Sequence, residues 1–417
     1  MQKKDKLVIK NVLLNGKKVD IFCQNGIIDR IDKNINKKAD IVINCNGEKS
    51  AIPGLINGHT HSAMSLLRGV GDDMPLKEWL EKRIWPIEEK LSKDDIYWGT
   101  KFACLEMIKN GIVFYNEMYM FPEVTMRASE EMGIRSLTGL VVMDVPKPKD
   151  VLEIEKKYQE LKETELSKIS ISPHSIYTVS RENLKWSVDF AKKNNLIIHI
   201  HISETKDEID FSMKKYRQKP INFLDSIGLL TSRTVMAHGV WIDDEEMKII
   251  GQRKSSLIYN PTSNLKLAVG KIFPYDKAKK YKVNVALGTD GSASNNNLDM
   301  LEEMKIGSLI QKYTQNNPTV LPAQEILDCA TINGARAFKI NSGEIKVGKN
   351  ADIALINMND VSLMPGHNLV SDLAYSGSGS VISDLVCNGS PIMLNRKVRG
   401  ESKIIEEFKR RSKSITK

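Results

Sequence analysis

None of the five cysteines, Cys23, Cys45, Cys104, Cys329 and Cys387, forms a C-x-x-C pair in this chain of 417 residues. That absence argues against a thiolate metal site or a disulfide framework, and the scattered thiols read as free cysteines of a reducing cytosol. No run approaches the ~18 consecutive apolar residues of a membrane span. The opening stretch "MQKKDKLVIKNVLLNGKK" lacks the apolar centre and small-residue cleavage site of a secretory signal. The expectation is a cytoplasmic protein with no membrane partner. Basic residues outnumber acidic ones, 61 to 52, for a net charge of +9. Nucleic-acid binders concentrate such charge among aromatics. Here the lysines are spread out and mixed with acids, and the densest block, "EEFKRRSK" at 406–413, itself opens on two glutamates. A solvated surface is expected, with no nucleic-acid partner.

Histidine is also scarce, at seven residues, yet "LINGHTHSAM" places His59 and His61 one residue apart. Their meaning depends on the frame around them. Asn15-Gly16 and Asn25-Gly26 sit between alternating apolar runs near the start, which predicts hairpins. From residue 53 the texture changes to short apolar runs separated by helical periods. Predicted strands are 53–59, 112–118, 134–142, 168–173, 196–201, 233–238, 254–259 and 283–288. Helical patterns lie between them, with Ser92 and Ser180 as N-caps. Eight such alternations predict an α/β fold, a (β/α)8 TIM-like barrel. A doubly wound sheet is the alternative, but no G-x-G-x-x-G follows the first strand. Strand texture returns at 343–357 and 380–398 after a helical pattern over 322–338. The expected domains are a small composite β-sandwich from residues 1–52 and 345–400, a barrel over 53–344, and a basic helix or tail at 401–417.

In a strand, residues i and i+2 face the same side, so His59 and His61 would both point into the barrel mouth. Four more placements follow the same rule. His201 ends the fifth strand, with Glu204 three residues on, and His238 ends the sixth. Asp290 follows the eighth strand and His174 the fourth. Barrel enzymes place their chemistry at this end, and imidazole suits Zn, Fe, Ni or Cu. Each also has a plainer reading. Asp290 before Gly291 could be a turn former, and His174 after Pro173 a packed loop residue. His199 shares the parity of His201 but lies deeper, as a barrel-interior histidine. His367 reads as a surface loop residue.

The stretches "PGLINGHTHSAMSLLRG", "HISET", "AHGVW", "NPTSNLKL" and "LGTDGSASNNNLD" resemble the amidohydrolase superfamily. Within it the chain is most similar to the 5-methylthioadenosine/S-adenosylhomocysteine deaminases, in the branch that includes triazine chlorohydrolases and guanine deaminases. The resemblance implies one divalent metal, Zn first and Fe second, held by His59, His61, His201 and Asp290. Relatives with two metals use a lysine at the end of the fourth strand, which here reads "SPHSIYT". The resemblance also implies that Trp79, Glu88 and His174 contact a nucleoside, Glu88 accepting from the ribose hydroxyls. A helix-surface role is the plainer reading of Glu88.

Two departures stand out. Where the family places carboxylate-clasping arginines, this chain has Leu140 and its neighbours, with Lys147 and Lys149 as weaker point charges. Methylthioadenosine or adenosine is thereby favoured over S-adenosylhomocysteine. Glu117 stands where relatives usually carry aspartate, and it has no assigned role.

The implied reaction is hydrolytic deamination of an adenine nucleoside to the 6-oxo product and ammonia. A bound metal lowers the pKa of water from ~16 to about 7, and the hydroxide attacks C6. Asp290 would take the water's proton, Glu204 would protonate N1, and His238 would steer the nucleophile. Glu204 and Asp290 thus touch substrate as well. The alternative is a deaminase or chlorohydrolase of a free purine, triazine or related heterocycle, which needs no ribose carboxylate. A non-catalytic metal barrel has no use for Glu204. The small molecule is the expected partner, and self-association into a homo-oligomer is compatible with the sequence.

Overall fold

The computed structural model describes residues 5–145 and 150–415. Alternating apolar residues drive the N-terminal strands β1 (Leu7–Leu14), β2 (Lys17–Gln24), β3 (Ile27–Asp32), β4 (Ile41–Asn44) and β5 (Lys49–Pro53). The Asn-Gly pairs make the hairpin turns as expected. Asn15 and Gly16 have φ of 48° and 74°, and Asn25 and Gly26 have 54° and 78°, the two left-handed residues that a tight hairpin needs.

The next eight strands form the barrel. They are β6 (Leu55–Thr60), β7 (Ile112–Glu117), β8 (Arg135–Val142), β9 (Ser167–Pro173), β10 (Ile198–Ile202), β11 (Thr234–His238), β12 (Ser256–Tyr259) and β13 (Asn284–Leu287). They pair in sequence order, every pair parallel. All carboxyl ends therefore open at one mouth, where barrel enzymes carry their loops. The ring closes just beyond β13. The Asp290 amide donates to the His59 carbonyl at 2.9 Å, and the Asn57 side chain donates to Thr289 Oγ1 at 2.7 Å. Gly288 permits this approach, because a Cβ there would lie 2.6 Å from Asn260 Oδ1 and 2.8 Å from the His59 nitrogen. The opposite mouth is plugged by Phe114, Leu137, Val235 and Ile258, covered by Ala335 and Phe338 of the helix Ile332–Phe338.

The helical pattern over 322–338 is two helices, Ala323–Cys329 and Ile332–Phe338. The break is used: the Ala330 carbonyl accepts from the Ile56 amide at 2.8 Å, tying the break to β6. In 343–357 only Ile353–Asn357 (β14) is a strand. It is followed by β15 (Ile382–Cys387) and β16 (Ser390–Met393). The strands expected to form a small sandwich are bonded into one mixed sheet, ordered β16-β15-β14-β5-β1-β2-β3 with β4 on β1. Its own core includes Leu7, Ile9, Ile21, Ile353 and Val386. Lys49 Nζ and Asp384 Oδ2, 2.6 Å apart, join the two chain ends.

The basic C-terminal segment is a docked helix, Glu401–Ile415. Phe408 stacks on Phe102 with ring centroids 3.7 Å apart. Arg411 pairs with Asp95 at 2.8 Å and with Asp94 at 3.2 Å, both in the first turn of the helix Lys93–Lys109.

Candidate active site

The strand ends bring His59, His61, His201, His238 and Asp290 together at the open mouth. Three of the imidazoles have their protonation pattern fixed by their partners. His61 Nδ1 lies 2.7 Å from the Met118 carbonyl, and His201 Nδ1 lies 2.9 Å from the His174 carbonyl. A carbonyl only accepts, so both Nδ1 nitrogens carry hydrogen, and in the neutral rings both Nε2 atoms keep a lone pair. His59 reaches the same state through another ring. His199 Nδ1 donates to the Val235 carbonyl at 3.0 Å, which leaves His199 Nε2 to accept from His59 Nδ1 at 2.9 Å. His199 is thus a barrel-interior residue whose structural partner is His59.

The freed Nε2 atoms converge. Asp290 Oδ1 lies 3.4 Å from His59 Nε2 and 3.3 Å from His61 Nε2, and the Nε2 atoms of His61 and His201 are 3.3 Å apart. Metal–nitrogen bonds of ~2.0–2.1 Å in a four-coordinate tetrahedral site give ligand separations of ~3.3–3.4 Å. His59 Nε2 is buried with no hydrogen-bond partner, an arrangement that a cation would satisfy. The donor set of imidazole and carboxylate suits a divalent transition metal.

Asp290 is tightly held. Its Oδ2 accepts from Ser263 Oγ at 2.6 Å and Ser294 Oγ at 3.0 Å. Burial would raise its carboxyl, but His59 and His61 beside it hold it well below the usual range. Asp290 and His238 have φ of 62° and 73°, and Ser203, just before Glu204, has 50°. Left-handed backbone at non-glycine residues is strained and clusters at functional sites. His238 Nδ1 contacts Asn264 Oδ1 at 2.8 Å and lies 3.8 Å from Glu204 Oε1. Glu204 is buried, and burial raises its carboxyl, offset in part by His238. The Ser203 and Glu204 amides donate to the two oxygens of Glu208 at 2.8 and 3.0 Å, which orients the turn.

Glu117, which had no assigned role, accepts the Ser62 amide at 2.9 and 3.1 Å through its two oxygens, and Thr60 Oγ1 at 3.2 Å. It therefore fixes the chain on either side of His61. Burial pushes its carboxyl up to about 7 against those bonds.

A cavity of about 370 Å³ opens over these groups, lined by His61, His174, His201, His238, Glu204 and Asp290. Trp79, Trp85 and Glu88 line it as well, from the excursion after β6. In an unbroken α-helix Trp85 would point ~120° away from Trp79. The wide π-turn Leu80–Ile84 between them changes that phase. Trp79 Nε1 donates to the Val70 carbonyl at 3.2 Å. Glu88 is not a helix-surface glutamate: burial raises its carboxyl, and Tyr119 donates to Oε1 at 2.5 Å. His174 Nδ1 bonds Thr178 Oγ1 at 2.8 Å. His367 is exposed in its loop, and Lys147 and Lys149 lie outside the described residues.

Sequence reasoning missed Tyr119, Ser263, Asn264, Ser294 and Glu208. "NPTSNLKL" contained two of them, and its clustered small polar residues were the available signal.

A model of the amidohydrolase family matches residues 50–392. The chain is 43% identical over 386 residues to 5-methylthioadenosine/S-adenosylhomocysteine deaminase 1 of Archaeoglobus fulgidus, covering 91% of each. It is 44% identical over 389 residues to a 5′-deoxyadenosine deaminase of Methanospirillum hungatei, covering 90% of this chain and 85% of the relative. The crystal structure of an adenosine deaminase from Xanthomonas campestris with bound zinc superposes with a TM-score of 0.94 at 30% identity, covering 98% of each chain.

Proposed function

The chain belongs to the amidohydrolase family, and on that premise we propose that it deaminates an adenine nucleoside hydrolytically, giving the 6-oxo nucleoside and ammonia. The observation that carries this reading is the meeting of the three Nε2 atoms around Asp290 beside a cavity that His61, His201, Asp290 and the buried Glu204 line, with Glu88 also on the wall. We assign His59, His61, His201 and Asp290 as the holders of one divalent cation, with zinc as the metal. A cation there supplies a nucleophile at neutral pH by lowering the pKa of water from ~16 to about 7.

The chain's own residues do the rest. Asp290, an anion at neutral pH, accepts the proton of the attacking water. His238 Nδ1–H donates a hydrogen bond to Asn264 Oδ1, which leaves Nε2 to orient that water. As the C6–O bond forms, the C6–N1 π electrons move to N1. Glu204, whose carboxyl is raised by burial, delivers a proton there. A carboxyl held as low as Asp290 gives up its acquired proton readily, and passes it to N6. The C6–N6 bond breaks with its electron pair leaving on ammonia, and the hydroxyl proton returns to Glu204 as the C6 carbonyl forms, so atoms and charge balance. Glu88, with Oε1 taken by Tyr119, offers its second oxygen to the ribose hydroxyls, and His174 borders the same space. The five cysteines are buried and unpaired, which accords with the cytoplasmic setting we propose.

The test is direct. Zinc-loaded protein is incubated with 5′-methylthioadenosine, 5′-deoxyadenosine, adenosine and guanine, and ammonia and the ultraviolet shift of the 6-oxo product are followed. Ammonia from the nucleosides and not from guanine is expected. No ammonia from any nucleoside would refute the reading.

A further inference from the structure

Glu303 is a fully buried acid that the reaction leaves unused. It lies in the first turn of the helix Met300–Thr314. No cationic side chain of the described residues pairs with it, but the positive end of the helix dipole favours an anion there. Its two oxygens face donors from two different loops. Oε2 accepts the Thr262 amide at 3.1 Å, and Oε1 accepts from Asn295 Nδ2 at 2.6 Å. Burial pushes the carboxyl up to about 8, and these bonds oppose the rise.

Both gripped residues adjoin the reaction centre. Thr262 opens the helix Pro261–Lys266, for which Asn260 supplies no side-chain cap, so its amide would otherwise be one of the orphan donors of a helix start. The next two residues are Ser263, which donates to Asp290 Oδ2 at 2.6 Å, and Asn264, which meets His238 Nδ1 at 2.8 Å. Asn295 follows Ser294, the other donor to Asp290 Oδ2, and its Nδ2 also reaches the Thr289 carbonyl at 2.7 Å. We propose that Glu303 is a positioning residue for the reaction: by gripping both loops it fixes Ser263 and Ser294 on Asp290, and Asn264 on His238. The inference rests on the deaminase reading above, in which Asp290 and His238 handle the attacking water. A glutamine at this place has one acceptor instead of two, so it can hold only one loop. Turning the Asn295 amide over to meet it would forfeit the Thr289 bond.

Glu303→Gln is compared with the parent in the zinc-loaded enzyme, with 5′-methylthioadenosine as substrate. In the variant kcat should fall about tenfold while KM stays within about twofold, since Trp79 and Glu88 stand on another segment of the cavity wall. Combined with Asn264→Ala, the loss should fall well short of the product of the two single losses, because both substitutions act through one contact. The His238 imidazole nitrogen resonances of histidine-labelled protein, assigned by their loss in His238→Asn, read that contact without substrate and should shift. A folded Glu303→Gln protein with kcat within about twofold of the parent, or a double variant whose losses simply multiply, overturns the proposal. Should Glu303→Gln not fold, Glu303→Asp, which keeps both oxygens on a stem one methylene shorter, is judged by the same readings. If the parent deaminates no nucleoside yet the His238 resonances shift in the variant, the reaction is wrong and the positioning role stands. Parent turnover with neither kcat nor resonances moved in the variant has the reverse meaning.

Discussion

Replacing His199 with leucine should weaken metal binding without unfolding the barrel. His199 Nε2 lies 2.9 Å from His59 Nδ1 and is buried with it. In the leucine variant that N–H faces hydrocarbon, and an unpaired buried donor costs ~1–3 kcal/mol. His59 is also released to its other tautomer, which places hydrogen on the nitrogen needed for the cation. At ~2 kcal/mol the dissociation constant for zinc rises about 30-fold, within the ~10–100-fold typical of partners behind metal ligands. Competition with a chromophoric chelator measures the constant, and the visible spectrum of the cobalt-substituted protein reports distortion around His59. His199→Gln keeps one acceptor and one donor and should recover much of the affinity. Zinc affinity within about threefold of the parent in a folded His199→Leu protein, a difference under ~0.7 kcal/mol, would refute the tautomer argument.

Glu204→Gln should lower kcat/KM by ~10²–10⁴ while leaving zinc content, read by elemental analysis, unchanged. The Glu204 pKa is raised by burial and the proton donor is the protonated form. Activity should therefore fall as pH rises through that value, and this limb should vanish in the glutamine variant's pH profile. Asn264→Ala removes the acceptor that orients His238, so kcat should fall about tenfold, the lower end of one lost hydrogen bond, with KM little changed in steady-state assays. Phe408→Ala strips the stacked contact with Phe102. A half-buried aromatic truncation of this kind should cost about 2 kcal/mol, seen as a lower Tm by calorimetry, with activity per folded molecule retained.

The barrel was legible because its parallel strands read as short apolar runs, and because a parallel ring forces every chemical residue to one end. His59, His61, His201, His238 and Asp290 could be picked out by position alone, each just past a run. Contacts between distant segments left no such trace. Tyr119 meets Glu88 across 31 residues, and Ser263 meets Asp290 across 27. Neither pairing has a period or a spacing rule. The π-turn at Leu80–Ile84 was equally hidden, since its residues read as ordinary helix. The break at Ala330 was hidden for a related reason. Its carbonyl is drawn out of the helix by β6, a partner that helical propensity does not see.

The sheet shared by both chain ends sets an order of events during synthesis. Strand β5 bonds β14 along five residue pairs, and Lys49 meets Asp384 across 335 residues. At ~5–20 residues per second on the ribosome, that interval is roughly 20–70 s. Throughout it β5 presents an open edge, and such edges recruit foreign strands. Premature termination anywhere before residue 353 therefore yields a chain with a built-in adhesive border, whereas the finished chain seals it with its own last strands.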